Sequence, residues 1–165
     1  MRRASWWASR LRQFRAHVRA RVRPEERAAL AGRLTAPQLR LFDAMHVANR
    51  RHGLDVAAAL GADGVEDPDV LLAGLLHDAG KGRIGVWPRV AYALGQEYGP
   101  WVWRAAGVLP GIGRALVRLR DHAERSAELA RAAGCSERTI ELIRHQEAPT
   151  DPEFGELLLR ADRAS

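Results

Sequence analysis

The segment "PDVLLAGLLHDAGKG", residues 68–82, constrains this chain more than any other stretch. Asp67 is placed to cap a helix, Pro68 suits its first position, and Asp69 puts a carboxylate in the first turn, at the positive end of the helix dipole. The helix that follows is apolar nearly all round, so it has no solvent face and must be surrounded by other elements. Gly80 and Gly82 break it and can bring backbone amides close to a ligand. At its end stands an adjacent pair, His77 and Asp78. An ionised carboxylate beside an imidazole in a core is costly unless a metal or hydrogen bonds compensate.

The surrounding elements also read as helices. Over residues 36–60, Leu39, Phe42, Met45 or His46, Asn49, His52 and Val56 recur at steps of three and four. Pro24 followed by "EERAALAGRL" opens an earlier helix, and "GADGVEDPD" is a turn. One helix is expected over residues 114–133, stopping at Gly134. Ser136 caps another that runs to about Glu147, and "FGELLLRADRAS" forms the last. Residues 83–119 hold Trp87, Trp101 and Trp103, several Gly and Pro breakers and a single acid, Glu97. They read as short helices and loops, a cap or lid over whatever the preceding motif builds, with the tryptophans in core packing. No stretch alternates with period two. The expected fold class is all-α, with residues 24–165 as a single helical domain.

Charge divides the chain unevenly. Residues 1–23 hold eight arginines and no acid, whereas residues 24–165 hold 18 basic and 20 acidic residues, a net of −2. The basic surface of a dedicated nucleic-acid binder is therefore absent from the body. Within residues 5–22, Trp7, Leu11, Phe14, Val18 and Val22 form one apolar stripe on an arginine-rich amphipathic helix. Such a helix suits peripheral association with an anionic membrane or nucleic acid, and equally docking on the protein's own core or a second subunit. Arginines interrupt every apolar run near the N-terminus, and no run is long enough to span a bilayer, so a soluble protein is expected. A single cysteine, Cys135, excludes an internal disulfide and fits a cytoplasmic location. It follows a helix-ending glycine and has no evident base partner, so a nucleophilic role is not expected.

His52, His122, His145 and Asp162 join His77 and Asp78 as candidates for chemistry. Singly, each is an ordinary core or surface residue. Together they offer imidazoles and carboxylates from five helices, a donor set that suits a divalent transition metal. Lys81, the one lysine among 26 basic residues, lies three positions after Asp78 in a glycine-flanked turn.

The order His52, His77-Asp78, Asp162 resembles the H…HD…D pattern of the HD superfamily of metal-dependent phosphohydrolases. "RHGLDVAAAL" is similar to the first-helix motif, in which His is followed four residues later by Val. "LLAGLLHDAGKG" resembles the central AALLHDiGK motif, lysine included. "HAERSAELARAAG", "IELIRHQE" and "LLLRADRAS" resemble the later segments HpelGAelaxxaG, vxxhIxxHHE and LxxADxxs. The resemblance runs over residues 36–165. His46 is a second candidate for the first ligand; His52 fits better, through its downstream Val-Ala and its shorter spacing to His77.

The resemblance implies a helical bundle holding a divalent ion (Mn, Fe, Co, Ni, Zn or Mg) through His52, His77, Asp78 and Asp162. Asp78 would bridge to a second ion held by His122 and His145, although His145-Gln146 stands where the family pairs two histidines, and Ser126 where it has glycine. The implied activity is hydrolysis of a small phosphate ester by a metal-activated hydroxide, with Lys81 and Asp78 as catalytic residues and Lys81 neutralising phosphate oxygens. The alternative is a non-catalytic or regulatory module that acts through a ligand or protein partner. "GIGR", residues 111–114, lacks the Lys-Ser/Thr of a phosphate loop and reads as a turn.

Overall fold

A computed structural model of the chain describes residues 20–82 and 84–165, and in these the protein is all-α, with no strand. The ten helices are α1 (Pro24–Ala31), α2 (Ala36–Ala44), α3 (Val47–Ala62), α4 (Pro68–Leu76), α5 (Val86–Tyr98), α6 (Trp101–Gly107), α7 (Ile112–Arg120), α8 (His122–Ala132), α9 (Glu137–Arg144) and α10 (Gly155–Ala164). A single 3-10 turn, Ala79–Lys81, follows α4. The expected N-terminal basic helix falls mostly on residues 1–19, outside the described ones, and residues 20–23 are not helical.

Helix α4 is the central element. The Asp67 side chain accepts from the Asp69 amide at 2.9 Å and Pro68 opens the first turn, as the sequence predicts. Val70, Ala73, Gly74, Leu75 and Leu76 are buried, and α3, α9 and α10 pack around them. Phe42, Val56, Leu60, Ile140, Ile143 and Leu158 complete the core. Thr35 and Gln38 form a reciprocal capping box at the start of α2, and Ser136 Oγ accepts from the Thr139 amide at the start of α9.

Two glycines fix how closely the site-bearing elements approach. A Cβ on Gly53 would stand 2.3 Å from the Leu75 carbonyl oxygen, so only glycine lets α3 lie this close to α4. A Cβ on Gly80 would meet the His122 carbonyl oxygen at 2.5 Å and the Ser126 amide nitrogen at 2.6 Å. The Gly80 amide instead donates to Ser126 Oγ at 2.8 Å, which ties the 3-10 turn to α8. Ser126 thus makes a hydrogen bond that a glycine in its place would lack.

Helix boundaries depart from the periodicity in three places. Residues 36–60 form two helices, because Met45 is extended (ψ 152°) and His46 caps α3 with Nδ1 3.3 Å from the Ala48 amide. Residues 114–133 are likewise two helices, broken at Asp121 just before His122. Helix α9 ends at Arg144, ahead of Glu147. Helices α5, α6 and α7 pack chiefly on one another; α7 touches α8 and the 3-10 turn, and Arg89 of α5 reaches Asn49 of α3. Trp103 stacks on Tyr92 at 5.6 Å in this unit, whereas Trp87 and Trp101 are exposed, contrary to the expected core packing. Among the described residues no helix is long and apolar enough to cross a membrane.

Candidate metal centre

The end of α4 delivers the first ligand. His77 caps α4 and is fully buried; its Nδ1 lies 2.8 Å from the Gly74 carbonyl oxygen. A carbonyl can only accept, so Nδ1 carries the proton and Nε2 is left as the ring's ligating atom. The same tautomer selection recurs at His122, whose Nδ1 donates to the Leu119 carbonyl at 2.7 Å.

Three ligand atoms converge at this point: His52 and His77 each offer a ring nitrogen and Asp162 a carboxylate oxygen, all within 4.8 Å of one another. His52 Nε2 is 2.8 Å from Asp162 Oδ1, and His77 Nε2 is 3.2 Å from the same oxygen. Asp78 Oδ1 stands 3.4 Å from His77 Nε2. Ligands at about 2.0–2.2 Å from one ion, in tetrahedral or octahedral arrangement, are separated by about 3.0–3.5 Å between neighbours, so this cluster has the spacing of a coordination shell.

The buried His77 Nε2 makes no well-aligned hydrogen bond, and Asp78 Oδ1 beside it has the Lys81 ammonium as its close partner. An electron-rich ring nitrogen facing two carboxylates is unfavourable unless a proton or a metal cation lies between them. The field at this point favours positive charge. Burial pushes the His77 imidazole down, but Asp78 and Asp162 outweigh it and the net shift is upward, towards the charged ring. Burial also pushes the Asp162 and Asp78 carboxyls up. The histidines outweigh this at Asp162, and Lys81 with the histidines does so at Asp78, so both acids lie well below the usual carboxylate range. The residues therefore fit a metal, and the group of His52, His77 and Asp162 can hold one.

The remaining expected residues are placed differently. Lys81 Nζ lies 2.6 Å from Asp78 Oδ1. His122 is buried beside them, its Nε2 3.9 Å from Asp78 Oδ1 and 3.9 Å from Glu147 Oε1. Burial and Lys81 depress its basicity. His145 is not brought to this cluster. Its Nε2 lies 3.3 Å from Glu141 Oε2, on the wall of a separate cavity of about 210 Å³ between α9 and the start of α10. Gln146 is buried and donates to the His77 carbonyl at 3.1 Å, bracing the ligand's backbone. A second set of ligands built on His122 and His145 is thus not assembled. Cys135 is half-buried, and burial pushes its thiol up, away from the reactive thiolate.

No protein-family model, no curated protein and no solved structure matches this chain.

The motifs did not point to Asn49 or Arg89. Glu147, the last residue of the segment "IELIRHQE", stands with Oε1 3.9 Å from His122 Nε2. Asn49 is one turn before His52 on α3, and Arg89 on α5 donates to Asn49 Oδ1 at 3.3 Å.

Proposed function

We propose that the chain is a metal-dependent phosphohydrolase of the HD type, acting on a small phosphate ester. The observation that carries this reading is the convergence of His52, His77 and Asp162 with an unpartnered, buried His77 Nε2. A divalent ion bound there supplies a water of lowered pKa and polarises a phosphoryl oxygen.

The chain's own residues then have definable tasks. Gly74 and Gln146 hold His77 from both sides, the first through Nδ1 and the second through the backbone carbonyl, so the ring meets the ion already oriented. Asp78 stays ionised in its buried position because Lys81 and three histidines surround it. Lys81 brings a compact positive charge to the edge of the cluster, where charge accumulates on phosphoryl oxygens in the transition state. His122 is buried with Nδ1 committed to the Leu119 carbonyl, and burial and Lys81 favour its neutral ring, so it adds no charge to the Asp78 side of the cluster.

The test is reconstitution of purified protein with Mn, Fe, Co, Ni, Zn or Mg, followed by a panel of phosphate esters. Metal-dependent turnover that disappears in His77→Ala supports the reading. Protein that takes up metal at this cluster yet hydrolyses no ester overturns it and favours a regulatory module.

A further inference from the structure

Beside the cluster, on the side facing α5, stand two polar groups with no task in the hydrolysis described above. Asn49 is buried on α3, three residues before His52, so the two side chains lie on one helix face a turn apart. Arg89 Nη2 donates to the Asn49 side chain at 3.3 Å; the acceptor must be the amide oxygen, which leaves Nδ2 as a buried donor without an acceptor. Arg89 itself is half-buried, and its Nε donates to the Ile84 carbonyl at 3.4 Å. Unlike Arg27, Arg51, Arg138 and Arg144, it has no carboxylate at ion-pair distance among the described residues. The acid that acts on it is Asp78, and that attraction does not offset the cost of burial.

A desolvated guanidinium without an acid and a buried amide NH2 without an acceptor, hydrogen-bonded to each other, lack the same partner: an acceptor-rich anion. Their position, one turn from a metal ligand and within the field of Asp78, puts that anion next to the ion.

We propose that Arg89 and Asn49 form an anion seat that takes oxygens of the substrate's phosphate group. This rests on the phosphohydrolase reading. A phosphate so held is gripped from α3 by Asn49 and from α5 by Arg89, and the two residues set its affinity.

The test uses full-length, metal-loaded protein and inorganic phosphate as probe, with acetate as control, by titration calorimetry; metal content and ester kinetics are measured alongside. Asn49→Leu keeps the volume and removes the donor; Arg89→Gln removes the charge. Each is expected to weaken phosphate binding and raise KM by about tenfold to a hundredfold, the equivalent of one charge-assisted hydrogen bond, with metal content unchanged. Arg89→Lys, which keeps the charge and loses the fork, is expected to fall between; it also serves if Arg89→Gln does not fold. Unchanged phosphate affinity in the variants overturns the seat while wild-type turnover leaves the phosphohydrolase reading standing. Loss of metal content in the variants also overturns it, by making both residues structural. Wild-type protein with neither phosphate binding nor turnover sinks the functional reading itself.

Discussion

Lys81 Nζ lies 2.6 Å from Asp78 Oδ1, across the one turn of 3-10 helix that ends α4. Among the described residues one group, His52, His77 and Asp162, has its ligand atoms close enough to share an ion, and Asp78 Oδ1 is already paired with an ammonium. We predict one metal per chain by elemental analysis.

Removing that ammonium should cost rate more than metal. Lys81→Met is expected to lower kcat by about 10²–10³, the usual effect of losing one charge aimed at the transition state, while metal content is retained. Lys81→Arg should not restore turnover, because a planar fork is a poor substitute for a point charge against a buried carboxylate between two glycines. Single-turnover kinetics on the loaded variants checks both.

The histidines should separate cleanly. His77→Ala and Asp162→Asn are expected to lose bound metal, since each removes an atom of the convergent group. His145→Ala should leave metal content at the wild-type level, because its ring is turned to Glu141 instead. Equal loss in all three would contradict the arrangement.

Spacing between helices is predicted to matter as much as the ligands. Gly53→Ala must push α3 away from the Leu75 carbonyl, and His52 moves with α3. The expected result is a destabilisation of about 1–3 kcal/mol from overpacking, read as a lower Tm, together with weakened metal binding. Gly80→Ala should likewise strain the turn against α8. Thermal melts with and without metal distinguish the two effects.

His52, His77 and Asp162 were legible because motif spacing survives any detail of packing. The break at Met45 was not, since one extended residue leaves helical periodicity on both sides intact. The break at Asp121 was hidden for the same reason. His145 was misplaced because a helix that ends at Arg144 turns the next side chain off the expected face. Arg89 and Asn49 belong to no motif; their relation exists only once α5 folds over α3.

Acid should loosen α1 before it reaches the core. Arg23 and Arg51 bind Glu26 and hold its carboxyl down at about 2, so its ionised form is favoured by folding. A lowered carboxyl stabilises the fold above its unfolded pKa of about 4.5, and this contribution is lost as pH falls from there towards 2. Glu26→Gln should be less stable than wild type at pH 7, and the difference should shrink steadily as pH falls from about 4.5 towards 2, as read by melts across that range.

The self-contained packing of α5, α6 and α7 has a thermodynamic consequence. Gly82 (φ 62°) lies before the unit and the helix break at Asp121 after it, and none of its residues belongs to the core cluster of Phe42, Leu76 and Ile143, so it is expected to open at lower free energy than that core. Amide hydrogen exchange should then resolve two cooperative populations: a fast one from residues 86–120 and a slow one from α3, α4 and α9, whose exchange requires global unfolding. An anion bridging Arg89 to Asn49 would slow the first population alone, turning ligand occupancy into a regional change in exchange rate.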